Sequence, residues 1–175
     1  MNTIKSLIML FIFLPGNFLS AQNVQAINPE GEKIKEQSFE ATFKNFGKVE
    51  FASYAEYDHS PPRLNLYLLQ DGKALYELPD YFGNKSWAFD EVIAVAFKDL
   101  NYDNLKDIIV MTNYITGMGP SGMEPFRVID VYFQKQDGFK QYEDISEELN
   151  DPKNYEHLKT IKDVVITVRK MFEPE

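Results

Sequence analysis

Hydrophobic positions along the chain fall into short runs, most of them with a period of two. Residues Ser38 to Asn45 alternate Phe39, Ala41 and Phe43 with Glu40, Thr42 and Lys44, the mark of a strand with one buried face. Gly47 turns the chain, and Val49 to Tyr54 continues as a second strand. Leu64, Leu66 and Leu68 repeat the alternation, Asp71-Gly72 supplies a hairpin turn, and Ala74 to Leu78 returns from it. Val92 to Phe97 and Ile108 to Met111 are apolar throughout; both read as strands, the second as a buried one because it is short and β-branched. Val128 to Phe133 is the next strand, and Asp137-Gly138 marks a second hairpin that returns through Phe139 to Tyr142.

The tail changes period. Leu158, Ile161, Val165, Val168 and Phe172 are spaced three and four apart, which predicts an amphipathic helix over about 153–172, with Pro152 and the acids before it at the entrance. The run Val164-Val165-Ile166 would also suit a strand. Ser146 to Leu149 reads as a separate short turn of helix. The expected architecture is a β-rich α+β domain over residues 38–175. It consists of an antiparallel meander of about eight strands, forming a sandwich or a curled sheet, with a C-terminal amphipathic helix. Residues 22–37 are polar, carry Pro29-Glu30-Gly31, and read as a flexible lead-in.

Residues 1–21 have the layout of a secretory signal peptide. Lys5 is the positive start, Leu7 to Leu14 the apolar centre, Pro15-Gly16 the break and Ala21 the small residue at the cleavage point, with Ala26 as a second choice. The apolar centre is too short for a permanent membrane helix. No Cys follows it to take a lipid. The expectation is a soluble exported protein without a transmembrane anchor, periplasmic or extracellular. A chain of 175 residues is one domain's worth, and with no Cys it has no disulfides to support it. A formal net charge of −9 argues against nucleic acid and permits a basic protein partner.

One stretch carries chemistry. Between the two apolar runs lies Asp99-Leu100-Asn101-Tyr102-Asp103-Asn104-Leu105-Lys106-Asp107. Asp99, Asn101, Asp103 and Asp107 stand at positions 1, 3, 5 and 9, and Leu105 offers a backbone carbonyl at position 7, the ligand order of a calcium loop. Position 12 is Val110 rather than the bidentate Glu of an EF-hand. Three carboxylates crowded into residues 99–107 repel one another unless something neutralises them. Without a metal, the same Asp and Asn residues would cap a plain hairpin turn. From Phe97 to Val110, strand, acidic loop and strand, the chain resembles the calcium loops of FG-GAP and VCBS-type repeats of integrin-like β-propellers. The resemblance implies one calcium ion. It does not extend to a propeller, which needs at least four blades and a repeated loop. Asn101 in place of Asp, and Asn104 where these loops usually have Gly, imply weaker binding; Asn still tolerates the left-handed turn.

A second candidate is the irregular segment Gly117 to Pro125, at the far end of the strand that leaves the acidic loop. Met118, Ser121, Gly122, Met123 and Phe126 are its candidate partner-binding residues. Ser121-Gly122 resembles the start of the Ser-Gly-x-x-Tyr loop of periplasmic lysozyme inhibitors, although the fifth position is Pro125 and Phe126 follows. His59 and His157 have no spacing that suggests a triad or metal ligands, so catalysis is not expected. Trp87, near Tyr81, Phe82 and Phe89, offers a sugar-stacking surface or a core cluster. The expectation is therefore an exported soluble envelope protein that binds one structural calcium ion and acts as a protein-interaction domain. The alternatives are an inhibitor or immunity-type protein against a cell-wall hydrolase, and a carbohydrate-binding module.

Overall fold

A computed structural model describes residues 27–79, 87–117, 122 and 124–173. The leader 1–21 and residues 22–26 lie outside the described residues. Among those described, the strands form two four-stranded antiparallel meanders. The first holds β1 (Glu32–Phe43), β2 (Gly47–Glu56), β3 (Arg63–Gln70) and β4 (Lys73–Glu77); the second holds β5 (Ala88–Lys98), β6 (Asp107–Ile115), β7 (Phe126–Lys135) and β8 (Gly138–Lys140). Helices α1 (Glu143–Asn150) and α2 (Ile161–Phe172) follow. The β-rich α+β class and the eight strands of the sequence reading are what the chain adopts, arranged as a sandwich with helices on its far side. No helix among the described residues is long and apolar enough to cross a membrane.

The second sheet is the shared layer. Ile108, Val110, Tyr114, Val128 and Tyr132 face Phe43, Phe51, Leu66 and Leu68 of the first sheet. Ile109, Met111, Ile129, Val131 and Phe133 face Ile145, Leu149, Val164 and Val168 of the helices. Burial on both faces explains why β6 carries the unbroken apolar run Ile108 to Met111 after Asp107, whereas the inward residues of β3 alternate. Aromatic rings fill the centre between the sheets: Phe43 stands edge-on to Phe97 at 5.6 Å and to Phe139 at 5.3 Å.

Two expectations are corrected at the start of the chain. The strand expected from Ser38 begins at Glu32, pairing Glu32, Lys33 and Ile34 with Ala55, Tyr54 and Ser53. A bulge between Ile34 and Phe39 shifts the alternation, so the pattern before it does not read as the same strand. Ser38 and Ser53 close the bulge: Ser38 Oγ donates to the Ile34 carbonyl at 2.8 Å, and Ser53 Oγ donates to the Gln37 carbonyl at 2.9 Å. Upstream, Ile27 bridges Ala74, the Glu30 N–H donates to Tyr67 Oη at 3.3 Å, and Asn65 Nδ2 donates to the Glu30 carbonyl. Residues 27–31 thus strap the outer face of the first sheet, over Ala52, Tyr67, Leu69 and Ala74. Gly31 makes the crossing possible at φ +92°; a Cβ there would lie 2.5 Å from the Ala55 carbonyl oxygen.

The helical tail also differs from the expected 153–172. Helix α2 starts at Ile161, where Thr160 and Asp163 form a reciprocal capping box. Pro152 and His157 lie in the preceding turns. The expected short turn at Ser146 to Leu149 is the full helix α1. The end of α1 and the turn that follows it close the edge of β7 beyond the short β8. Asn150 Oδ1 accepts from the Ile129 N–H at 2.8 Å while its Nδ2 donates to the Ile129 carbonyl, and Tyr155 Oη accepts from the Arg127 N–H at 2.9 Å. The side chains take the place of a missing strand.

Candidate metal centre

The acidic loop spans residues 99–106 between β5 and β6, whose last pair is Lys98 with Asp107. Asp and Asn side chains fold it by capping its own backbone. Asp99 Oδ2 accepts from the Asn104 N–H at 3.0 Å, Asn101 Oδ1 from the Asp103 N–H at 3.3 Å, and Asp103 Oδ1 from the Leu105 N–H at 2.8 Å. Asn101 Nδ2 donates to Asp103 Oδ2 at 3.0 Å. Tyr102 and Asn104 adopt left-handed φ values of 61° and 62°. For Asn104 this is the conformation that position 6 demands. Tyr102 is a bulky residue in an uncommon conformation, and its ring lies 5.5 Å from the Arg169 guanidinium carbon. Arg169 reaches from α2 and donates to the Asp99 carbonyl through Nε at 3.2 Å and Nη2 at 2.7 Å.

Asp107 differs from the other acids of the loop. It is fully buried. Its Oδ2 accepts from the Leu100 N–H at 2.8 Å and its Oδ1 from the Gln134 N–H at 3.0 Å. The last β6–β7 pair is Ile108 with Tyr132, so the Gln134 N–H faces the departing loop, and the carboxylate supplies the acceptor that a further strand residue would have given. Burial pushes the Asp107 carboxyl up from 3.8 to about 6; the two backbone donors oppose the shift, and the charges of Asp103 and Asp99 add to it.

The loop therefore gathers Asp99, Asp103 and Asp107 closely enough for their charges to act on one another. Each oxygen of Asp107 keeps a free lone pair beyond the one its backbone partner uses. Asp99 Oδ1 is buried and has no hydrogen-bond partner. A buried anionic oxygen with nothing against it costs free energy unless a cation is supplied. Among the described residues, no three His, Cys, Asp or Glu side chains form a group placed to hold a metal. Asp99 Oδ2, Asn101 Oδ1 and Asp103 Oδ1 are turned onto the loop's own N–H groups, which leaves Asp99 Oδ1 as the unpartnered oxygen.

The second candidate fares differently. Met118, Ser121 and Met123 lie outside the described residues. Gly122 is buried, and its carbonyl accepts from the Gly117 N–H at 2.8 Å. Phe126, expected near an exposed loop tip, instead opens β7 and is half-buried, edge-on to Trp87 at 4.8 Å. Gly117 and the acidic loop follow opposite ends of β6, Asp107–Ile115, a strand roughly 30 Å long at the antiparallel rise. Trp87 packs on Phe126 and Tyr114 within the aromatic end of the core; Tyr81 and Phe82 lie outside the described residues. His59 Nδ1 pairs with the Pro61 carbonyl at 2.9 Å, and His157 is exposed. Arg169 and Gln134 are the parts of the site that sequence reasoning missed. Neither has a local signal, since they reach the loop from 70 and 27 residues away. The chain matches no protein-family model, no curated protein and no solved structure.

Proposed function

We propose that the protein is an exported, non-catalytic binding domain whose acidic loop holds one calcium ion. Asp99, Asn101, Asp103, the Leu105 carbonyl and Asp107 would hold it. The observation that carries this reading is the buried Asp99 Oδ1, without a hydrogen-bond partner, close to Asp107, whose ionisation the charges of Asp103 and Asp99 make costlier. Calcium accepts six to eight oxygens in flexible geometry, which suits a donor set of carboxylates, one amide and one carbonyl. The ion's role is structural. It offsets the repulsion among the three acids and pins the loop in a chain without disulfides. The strongly acidic surface fits a basic protein partner at the cell envelope.

Titration calorimetry with calcium, paired with thermal melts in calcium and in chelator, tests the reading. Saturable heat, a melting point that falls in chelator, and loss of both effects in Asp103→Asn support it. Asp103 is exposed and bonds only within the loop, so that variant keeps the fold. No heat and identical melts would leave the loop as a self-capped turn.

A further inference from the structure

The helical side of the molecule carries a groove that the acidic loop does not explain. It opens between α1 and the last turn of α2, is lined by Asp144, Ile145, Glu148, Met171 and Phe172, and measures about 400 Å³. Its apolar parts are unusually open: Met171 is 41% and Phe172 36% accessible, next to each other at the end of a helix. Phe172 is anchored rather than loose, its ring 5.5 Å from that of the wholly buried Phe133. The buried Ile145 links the groove to the helix-side core. The volume is at the lower end of the roughly 300–1,000 Å³ of ligand pockets, enough for the anchor side chains of a peptide.

Charge selects the occupant. The charged residues lining the groove are both acids, Asp144 and Glu148. Helix α1, Glu-Asp-Ile-Ser-Glu-Glu-Leu-Asn, carries acids in its first turn, again at Glu147 and Glu148, and has no basic residue in its last turn. The Glu148 carboxylate is held by Asn154 Nδ2 at 3.0 Å. Of the two cations in the last turn of α2, Arg169 is committed to the Asp99 carbonyl and Lys170 is not among the residues lining the groove. Lys135 and Lys140 lie over the Tyr142 ring, at 5.4 and 4.8 Å, not in the groove lining. A second copy of the chain fits poorly, because a two-fold contact here would set α1 acids against α1 acids on a molecule of net charge −9. An anionic membrane is repelled for the same reason.

We propose that this groove docks a basic amphipathic peptide segment of a partner protein, with apolar anchors against Met171, Phe172 and Ile145 and lysine or arginine side chains at Asp144 and Glu148. The occupancy does not depend on the calcium reading, because it uses different residues on a different face. Methionine suits such a surface, being flexible and polarizable enough to follow more than one anchor.

The test is fluorescence anisotropy of the purified protein with a labelled amphipathic peptide of Leu and Lys, and with a counterpart carrying Glu for Lys. The Lys peptide is expected to bind saturably and the Glu peptide not. Met171→Glu is expected to weaken binding about tenfold or more, although it adds negative charge, because it removes an apolar anchor. The isosteric pair Asp144→Asn with Glu148→Gln is expected to weaken it several-fold and to flatten its salt dependence. Circular dichroism melts check that each variant is folded. Binding that is equal or tighter in Met171→Glu would reduce the attraction to diffuse charge and overturn the proposal. So would the absence of binding to the Lys peptide, or concentration-dependent dimerisation in sedimentation that Met171→Glu abolishes, since a second copy would then be the occupant.

Discussion

Arg169 ties α2 to the acidic loop through two of its residues, Asp99 and Tyr102, and removing its head group has a calculable cost. Arg169→Met keeps the apolar stem and deletes the guanidinium. The loss comprises two hydrogen bonds from a charged donor to the Asp99 carbonyl, at 3.2 and 2.7 Å, and the stacking on Tyr102. Bonds involving a charged partner contribute about 1.5–3 kcal/mol and exposed cation–π contacts about 0.5–1 kcal/mol. The two bonds share one acceptor and count as one, so the sum is about 2–4 kcal/mol; because the site is half-open to water its lower part applies, about 2–3 kcal/mol. For a domain of this size that is a fall in Tm of about 4–12 °C. Urea unfolding and thermal melts would measure it, with a double-mutant cycle against Tyr102→Ala to isolate the ring contact. Arg169→Lys is expected to fall between, since a lysine restores the charge but not the planar fork. A variant that melts within about 1 °C of the parent would refute the reasoning. It would mean that Val164 and Val168 dock α2 and that the loop is indifferent to it.

Two further outcomes follow from the same structure. The raised Asp107 carboxyl makes the chelated protein lose stability as pH rises. The folded state keeps a proton up to about pH 6 that the unfolded chain releases near 3.8. The contribution is therefore full below about pH 4 and gone above about pH 6, a total of about 3 kcal/mol. Saturating calcium, which favours the ionised carboxylate, is expected to abolish that fall, and a flat chelated profile across pH 4–6 would contradict the burial argument. Gly31→Ala is expected to cost about 3–5 kcal/mol in urea unfolding, combining a strained positive φ with a Cβ against the Ala55 carbonyl. A loss under about 1 kcal/mol would show that the strap lifts away without disturbing the sheet beneath.

What could be read in advance was local. The Asp71-Gly72 hairpin needed no partner to identify it, and both residues take the left-handed conformation, at φ 52° and 77°. The run Ile108 to Met111 announced burial, and the β-rich class followed from such runs. The loop pattern located Asp99, Asn101, Asp103 and Asp107 in one turn. Long-range features were not legible. That β4 ends one sheet and β5 begins another is set by which faces pack together, which the alternation of neither strand announces. The early start of β1 was hidden by its bulge and by Lys33 and Lys35 on an edge strand. The helix start was misplaced because Leu158 keeps helical spacing with Ile161 while lying in a turn; Thr160 and Asp163, three apart, were the local sign of the true start. Asp107 looked like a ligand from its spacing. That it also completes the β6–β7 ladder became visible only once Gln134 was beside it.

The sheet that serves as a wall for both cores has a consequence for how the protein comes apart. Residues of β6 and β7 belong alternately to the inter-sheet core and the helix-side core, so neither core can dissolve and leave the other intact. Such an arrangement unfolds as one cooperative unit rather than in stages. The acidic loop is the hinge between two strands of that wall. Anything bound there is bound to the folded state as a whole, and its binding free energy is felt by every element through the same equilibrium. Were a cation held there, its availability would set the stability of the entire molecule rather than of the loop alone.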